Sequence, residues 1–394
     1  MMFIVCSIRG LSPIWNWSAH PMTPVFSAMA FSCVAWIAVL LSPLCWSSAL
    51  LAQESAVRSA EKSVPTLESL PHDALPRGVF KGWCGQKDRY LLDVDGQIEA
   101  YDAGTKYATI AVSSDWPWHC SNDGEQLVYI DTRMGYVTKV DIASGESRFL
   151  ASYQPVDSGN AKVSFSPDLG SVATTTPLTL TADAGTLKVI LVHPNKQRNS
   201  DEYVQQIRWS KDASKMFVAY DPTAIEVLDA DGRKVSSGKK PKADNVSDGW
   251  FDVDRKALTL FLVPEQENTG VVVRCDPVSW KCSRLKSQVD SFSIGGRGIM
   301  GAVGPLGKLP IPDDDSIVTH HRYAAEIRHQ TFGLLARQVY ATAGGRSEYA
   351  ISVSPSGSQA VLTWRNERLA GCGTGFHSFK CAQGILVNLS KVLK

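Results

Sequence analysis

The sequence lacks most of the signatures by which a chain declares its chemistry. It has no P-loop, and no Gly-x-Gly-x-x-Gly stands between a strand and a helix. Gly371-Cys372-Gly373 precedes no helix and is not a phosphate cradle. No Gly-x-Ser-x-Gly elbow is present, which excludes the α/β-hydrolase nucleophile, and Gly344-Gly345-Arg346-Ser347 reads as a loop. No Cys-x-x-Cys occurs, so a zinc site has little to build on. Excess charge of either sign is missing too: 40 Lys and Arg face 39 Asp and Glu, a net +1. That balance gives no nucleic-acid surface and no polybasic membrane patch. After the N-terminal region no long amphipathic helix is visible, although Tyr323 to Arg328 has helical character. His119 and His193 are single histidines near strand ends and read as polar edge residues rather than bases.

What is present points to sheets behind an export signal. An apolar fraction of 44% supports a core, and eleven Trp suit aromatic packing on strands. Up to residue 53 the only formal charge is Arg9, and Phe26 to Leu44 is a nearly unbroken apolar run. Small residues follow at Ser47-Ser48-Ala49 and at Ala52. Residues 1–52 are therefore expected to be a signal peptide, cleaved after Ala49 or Ala52. The run is also long enough for an uncleaved membrane anchor. Residues 53–77, Ser-, Glu- and Pro-containing without a period, read as a linker.

Three of the nine cysteines lie in that leader. The remaining six are an even number in an exported chain, which suggests disulfides; six allow fifteen pairings. Locality favours one pattern. Cys275 and Cys282 flank a hairpin loop, and Cys372 and Cys381 close a Gly-rich loop, which leaves Cys84 for Cys120. Free thiols and a metal site are the alternatives.

The organising feature is a repeated turn. Trp118-His119-Cys120-Ser121-Asn122-Asp123-Gly124 reads as a strand entering a tight turn, and a second strand follows from Gln126. Equivalent positions recur at Cys84-Gly85, Phe165-Ser166, Trp209-Ser210, Phe251-Asp252, Phe292-Ser293 and Val353-Ser354. The steps are about 36 to 45 residues, with a last one of about 61, the spacing of propeller blades. Each unit holds about four strands, as in Val79 to Cys84, Arg89 to Val94, Gln97 to Tyr101 and Lys106 to Val112. The expected fold is all-β: a single propeller of seven four-stranded blades over residues 78–394. A β-sandwich fits the constant spacing poorly.

Phe165-Ser166-Pro167-Asp168, Trp209-Ser210-Lys211-Asp212 and Val353-Ser354-Pro355-Ser356-Gly357 resemble the turns of TolB-like propeller repeats, relatives of WD40 repeats. The resemblance covers about 78 to 394 and departs from the motif in the second, fifth and sixth copies. It implies a periplasmic or secreted propeller that binds other proteins, with no catalytic residues to carry over.

In a propeller the first strand of each blade, strand A, lines the central channel. A–B and C–D turns lie on one face, B–C and D–A loops on the other. The tight Ser-x-Asp turns are thus expected to share one face with no room for a site. The longer sixth step places an insertion at 304–321, with Asp313, Asp314, Asp315, His320 and His321; the next unit has one at 365–383 with His377. These adjacent B–C loops are the expected binding surface. Three carboxylates beside two imidazoles could ligate a divalent metal, but consecutive side chains rarely all point inward. An exposed acidic loop is the expectation, with neither metal nor cofactor. The function expected is non-enzymatic binding of a protein or glycan partner in the cell envelope, by a monomer. The alternative is a periplasmic enzyme or enzyme subunit, of the propeller-lyase or dehydrogenase heavy-subunit type, with its site at the channel mouth. The ring is expected to close with an outer strand from Lys391 to Lys394, or from near Val64 to Leu70.

Overall fold

Alternating strands and tight turns build seven sheets in chain order. The structure, a computed structural model, describes residues 64–393 except 114, 154–161, 193–202, 222–223, 240–243, 253–256, 265–268, 309–320, 330–332, 342–345, 367–368, 370–371 and 373–380. The expected signal or anchor, 1–52, lies outside the described residues. Among the described residues no helix is long and apolar enough to cross a membrane.

Blade one comprises Val79–Cys84, Arg89–Val94, Gln97–Asp102 and Thr105–Ser113. Blade four comprises Tyr203–Trp209, Lys215–Asp221, Ala224–Asp229 and Lys234–Lys239; blade five, Asp244–Asp252, Ala257–Pro264, Gly270–Cys275 and Cys282–Val289. Blade six comprises Ser291–Ile294, Ile299–Lys308, His321–His329 and Gly333–Ala341. Blade three lends a strand to blade two. Blade two holds Trp118–Cys120, Gln126–Asp131, Tyr136–Asp141 and Ser147–Ser152, and gains Thr179–Leu180 on its outer edge. Blade three keeps Val163–Phe165, Ser171–Thr174 and Lys188–Leu191, the last two running parallel because the chain detours through its neighbour between them. The fold is a seven-bladed β-propeller.

One apolar cluster fills each seam between neighbouring blades, because alternate side chains of every strand face opposite ways. In blade one Leu91 packs with Leu127 and Val140 of blade two, while Tyr90 and Leu92 pack with Val361 and Leu386 of blade seven. The stretch Tyr323 to Arg328 is strand rather than helix. Its period of two buries Ala325 and Ile327 in the seam with blade seven, and the ladder to Ile299–Lys308 holds it extended.

The ring closes from the N-terminal side. Blade seven is Arg346–Val353, Gln359–Asn366 and Ala382–Asn388, and His72–Ala74 adds as its outer strand, His72 opposite Val387. Of the two expected sources the C-terminal one does not serve: Leu389 to Val392 forms a turn. At the N-terminal source, 67–69 is a 3-10 turn capped by Thr66, and the strand begins just after it. Leu67 and Leu70 bury in the blade six to seven seam. The end of the stretch expected to be linker therefore lies in the sheet. Pairing the two chain ends gives blade seven its fourth strand and leaves only a three-residue outer edge there.

Candidate functional site

The repeated turn is a small hydrogen-bonded machine. In blade two Ser121 Oγ donates to Asp123 Oδ1 at 2.5 Å and accepts from Gln126 N at 3.0 Å, while Asp123 also accepts from Glu125 N. Blade three repeats this with Ser166, Asp168 and Ser171, blade four with Ser210, Asp212 and Lys215. Hydrogen bonds from the serine and from backbone hold Asp123 and Asp168 below the usual carboxylate range. Burial opposes the same shift at Asp212, and the hydroxyls of Ser210 and Ser214 overcome it.

With serine and aspartate turned into the loop, the residue between them faces the channel. Gln86, Asn122, Pro167, Lys211 and Pro355 all hold that middle position in their turns, and all line one cavity of about 610 Å³ at the A–B end of the channel. Hydrogen bonds knit them into a collar. Gln86 N donates to Asn122 O at 2.6 Å, and Asn122 N to Pro167 O at 2.7 Å. Asn122 Nδ2 donates to Lys211 O at 3.3 Å, and Lys211 Nζ crosses to Pro355 O at 3.1 Å, from blade four to blade seven. Gly85 and Gly124, both at positive φ, let the first two turns touch backbone to backbone, since a Cβ on Gly85 would stand 2.3 Å from Gly124 N.

Below the collar, strand A of several blades supplies an aromatic wall. Trp83 is fixed by a bond from its indole N–H to Ser352 Oγ at 3.0 Å, and Trp209 by one to Ser164 O at 3.1 Å. Trp250 meets Phe292 edge to face at 5.3 Å. Among the described residues the lining includes two cations, Arg208 and Lys211, and no carboxylate. Nearby, the half-buried His119 packs against Phe165 between blades two and three rather than standing at an edge. Burial, with the Arg208 charge adding, lowers its imidazole to about 4.

This corrects the expectation that the Ser-x-Asp face has no room for a site. The signal was the variable middle residue, passed over because Ser and Asp carry the pattern. Of the residues expected to bind, Asp313, Asp314, Asp315, His320 and His377 lie outside the described residues. His321 opens a strand, opposite Lys308. Strands B and C of blade six reach further than expected, so 304–308 is ladder rather than loop. Among the described residues no group of three His, Cys, Asp or Glu is arranged to hold a metal.

The six cysteines stand as the three expected pairs, Cys84–Cys120, Cys275–Cys282 and Cys372–Cys381, with Cα–Cα distances of 5.2, 4.0 and 5.4 Å. Three disulfides indicate an oxidising environment, extracellular or periplasmic.

No protein-family model matches the chain, and no curated protein does. Among solved structures it is similar to the β-propeller domain of Cps50 (Swd1) from Myceliophteria thermophila, with a TM-score of 0.49 and 11% identity over 80% of this chain and 99% of that one. It is also similar to Kuenenia stuttgartiensis hydrazine synthase, with a TM-score of 0.36 and 13% identity over 78% of this chain and 82% of the other. Neither likeness bears on the contents of the cavity; the seven-bladed fold rests on the order of the sheets.

Proposed function

We propose that this chain is an exported propeller of the TolB-like kind that binds a protein or glycan partner in the periplasm or outside the cell without transforming it. The cavity carries the reading. Its size is that of ligand sites in general, and its wall is made of locked indoles, amides, hydroxyls and two cations. Such groups recognise a ligand by stacking, hydrogen bonding and charge. The loops with Asp313, Asp314, Asp315, His320, His321 and His377 belong to the same proposal as a second contact surface, on the opposite face. The N-terminal segment directs export and either leaves on cleavage or tethers the propeller to the membrane.

The test is capture on arrays of envelope glycans and envelope proteins, followed by mass analysis of what was bound. A partner recovered unchanged, and lost on Trp250→Ala or on deletion of 309–320, supports the reading and says which face is used. A partner recovered cleaved or oxidised refutes it in favour of an enzyme.

A further inference from the structure

The three disulfides are not equivalent. We propose that Cys275–Cys282 is a site of thiol–disulfide exchange: an external dithiol opens it through Cys282, and its opening releases an indole that clamps blade five to blade four. This holds whatever the cavity binds.

Access singles out the pair. Exchange begins when a thiolate reaches one sulfur of the bond, so exposure decides which bond is attacked. Cys84, Cys372 and Cys381 are at most 1% exposed, and Cys120 is half-buried. Cys275 is buried too, but its partner Cys282 opens the outer strand of blade five and is exposed. The two stand opposite each other at the end of the hairpin between strands C and D. A bond that closes a loop of 7 residues also restrains the chain less than one that closes 36, so the fold protects it less from reduction.

The loop that this bond closes has a task. Asp276 Oδ1 accepts from Val278 N at 2.9 Å and from Ser279 N at 2.6 Å, and Trp280 N donates to Asp276 O at 2.8 Å. Trp280 stands at φ 54°, a left-handed conformation that an aromatic residue adopts only at a cost. From there its indole reaches blade four. It lies against the backbone of Gly238, where a Cβ would stand 2.2 Å from Trp280 Cδ2. It also packs on the apolar seam formed by Phe217 and Ile225 of blade four with Leu258 and Leu260 of blade five. The indole N–H has no acceptor among the described residues, so packing and the closed loop hold the ring in place.

In the exchange the donor's thiolate bonds to Cys282 Sγ, and the bond to Cys275 Sγ breaks with its electron pair leaving on Cys275. The donor's second thiol then displaces Cys282 from the mixed disulfide. The donor ends as a disulfide, and the chain gains two electrons and two protons as two thiols. With the base of the loop open, Trp280 relaxes to negative φ and its indole leaves Gly238.

The full chain is treated with dithiothreitol under native conditions, quenched with iodoacetamide and mapped by peptide mass. Cys275 and Cys282 should be alkylated at least about tenfold faster than either other pair. Tryptophan emission should change as the pair opens, and Trp280→Phe should lack that change. Clamp and bond support each other, so displacing the ring should ease reduction. Gly238→Ala should lower the ratio of reduced to oxidised dithiothreitol at which the pair opens by about fivefold or more, and leave the other two pairs unchanged. If Gly238→Ala does not fold, Trp280→Ala takes its place with the same expectation. Reduction of Cys84–Cys120 or Cys372–Cys381 first, or at the same rate, would overturn the proposal. So would an unchanged emission, a change that Trp280→Phe retains, or a ratio unmoved by displacing the ring.

Discussion

The seam between blades one and two and the seam between blades seven and one are built from opposite materials. The first is covalent: Cys84–Cys120 joins two inner strands. Around it the buried guanidinium of Arg89 donates to Gly124 O, lies within 3.5 Å of Glu125 and 3.8 Å of Asp102, and sits over the Tyr107 ring. The second has no disulfide across it and is made of borrowed parts. Blade seven takes its outer strand from His72–Ala74, and its Ser352 Oγ accepts the indole N–H of Trp83. It also takes a carboxylate. Its turn reads Ser354-Pro355-Ser356, with serine where blades two to four have aspartate, and Asp88 of blade one fills the gap. Asp88 accepts from Ser356 N at 3.0 Å, from Ser356 Oγ, and from Ser358 Oγ at 2.8 Å. The comparison teaches that a motif lost in one copy can be restored from the neighbouring blade, and that doing so stitches the ring where the chain itself does not run on.

The largest effect should come from the covalent seam. Replacing Cys84 and Cys120 by Ala opens a loop 36 residues long and should lower stability by about 3–4 kcal/mol, against about 2–2.5 kcal/mol for the Cys275–Cys282 loop of 7 residues. Urea unfolding of the two double variants checks this. Equal costs would mean that the first seam gains nothing special from its bond.

Next comes the stitched seam. Asp88→Ala removes the acceptor of three hydrogen bonds to a group that is 8% exposed, and should cost about 2–3 kcal/mol. Ser356→Asp restores the motif of the other blades, yet it should also destabilise, because two carboxylates would then share one site. Combining Ser356→Asp with Asp88→Ser should recover most of that loss. A double-mutant cycle by thermal denaturation measures the coupling, and a stabilising Ser356→Asp would refute the account of the seam.

These particulars show how much the chain declares in advance. Seven blades and three disulfides were legible, because both follow from local spacing: the Ser-x-Asp turn recurs at blade distance, and two of the three cysteine pairs close short loops. Ring closure by His72–Ala74 was half legible. A three-residue strand with every side chain exposed has no alternation to announce it, and its pairing is 311 to 315 residues away in sequence. The strand that blade three lends to blade two was not legible, since Thr179–Leu180 is too short to carry a period. The cavity was missed for a different reason. Its collar uses the residues that vary from turn to turn, and no local pattern says that five variable positions converge on one axis.

A smaller effect separates the channel from the turns through pH. His119 has its pKa lowered to about 4 from 6.5, so the unfolded chain binds more protons between those values. Stability is complete above pH 6.5 and falls as pH drops toward 4, by about 1–2 kcal/mol once the channel water that reaches part of the ring is allowed for. The turn carboxylates act in a lower window. Asp123, Asp168 and Asp212 are held below their usual 3.8, so their contribution persists above pH 3.8 and is lost as pH falls further. His119→Gln should flatten the upper window and leave the lower one. A variant that still loses stability between pH 6.5 and 4 would assign that loss elsewhere.

The smallest effect tests whether an ordinary turn differs from the stitched one. Asp168 accepts from Ser166 Oγ and from Gly170 N within its own loop, and all three groups belong to blade three. Its removal leaves Ser166 Oγ with Ser171 O at 3.0 Å as acceptor, and leaves Gly170 at a position water can reach. Asp168→Ala should therefore cost only about 1 kcal/mol. Asp88, by contrast, bonds across two blades and has no local substitute. If Asp168→Ala matched Asp88→Ala, the turns would be equivalent wherever their carboxylate comes from, and the seam would owe its closure to the borrowed strand and the Tyr90–Val361–Leu386 packing alone.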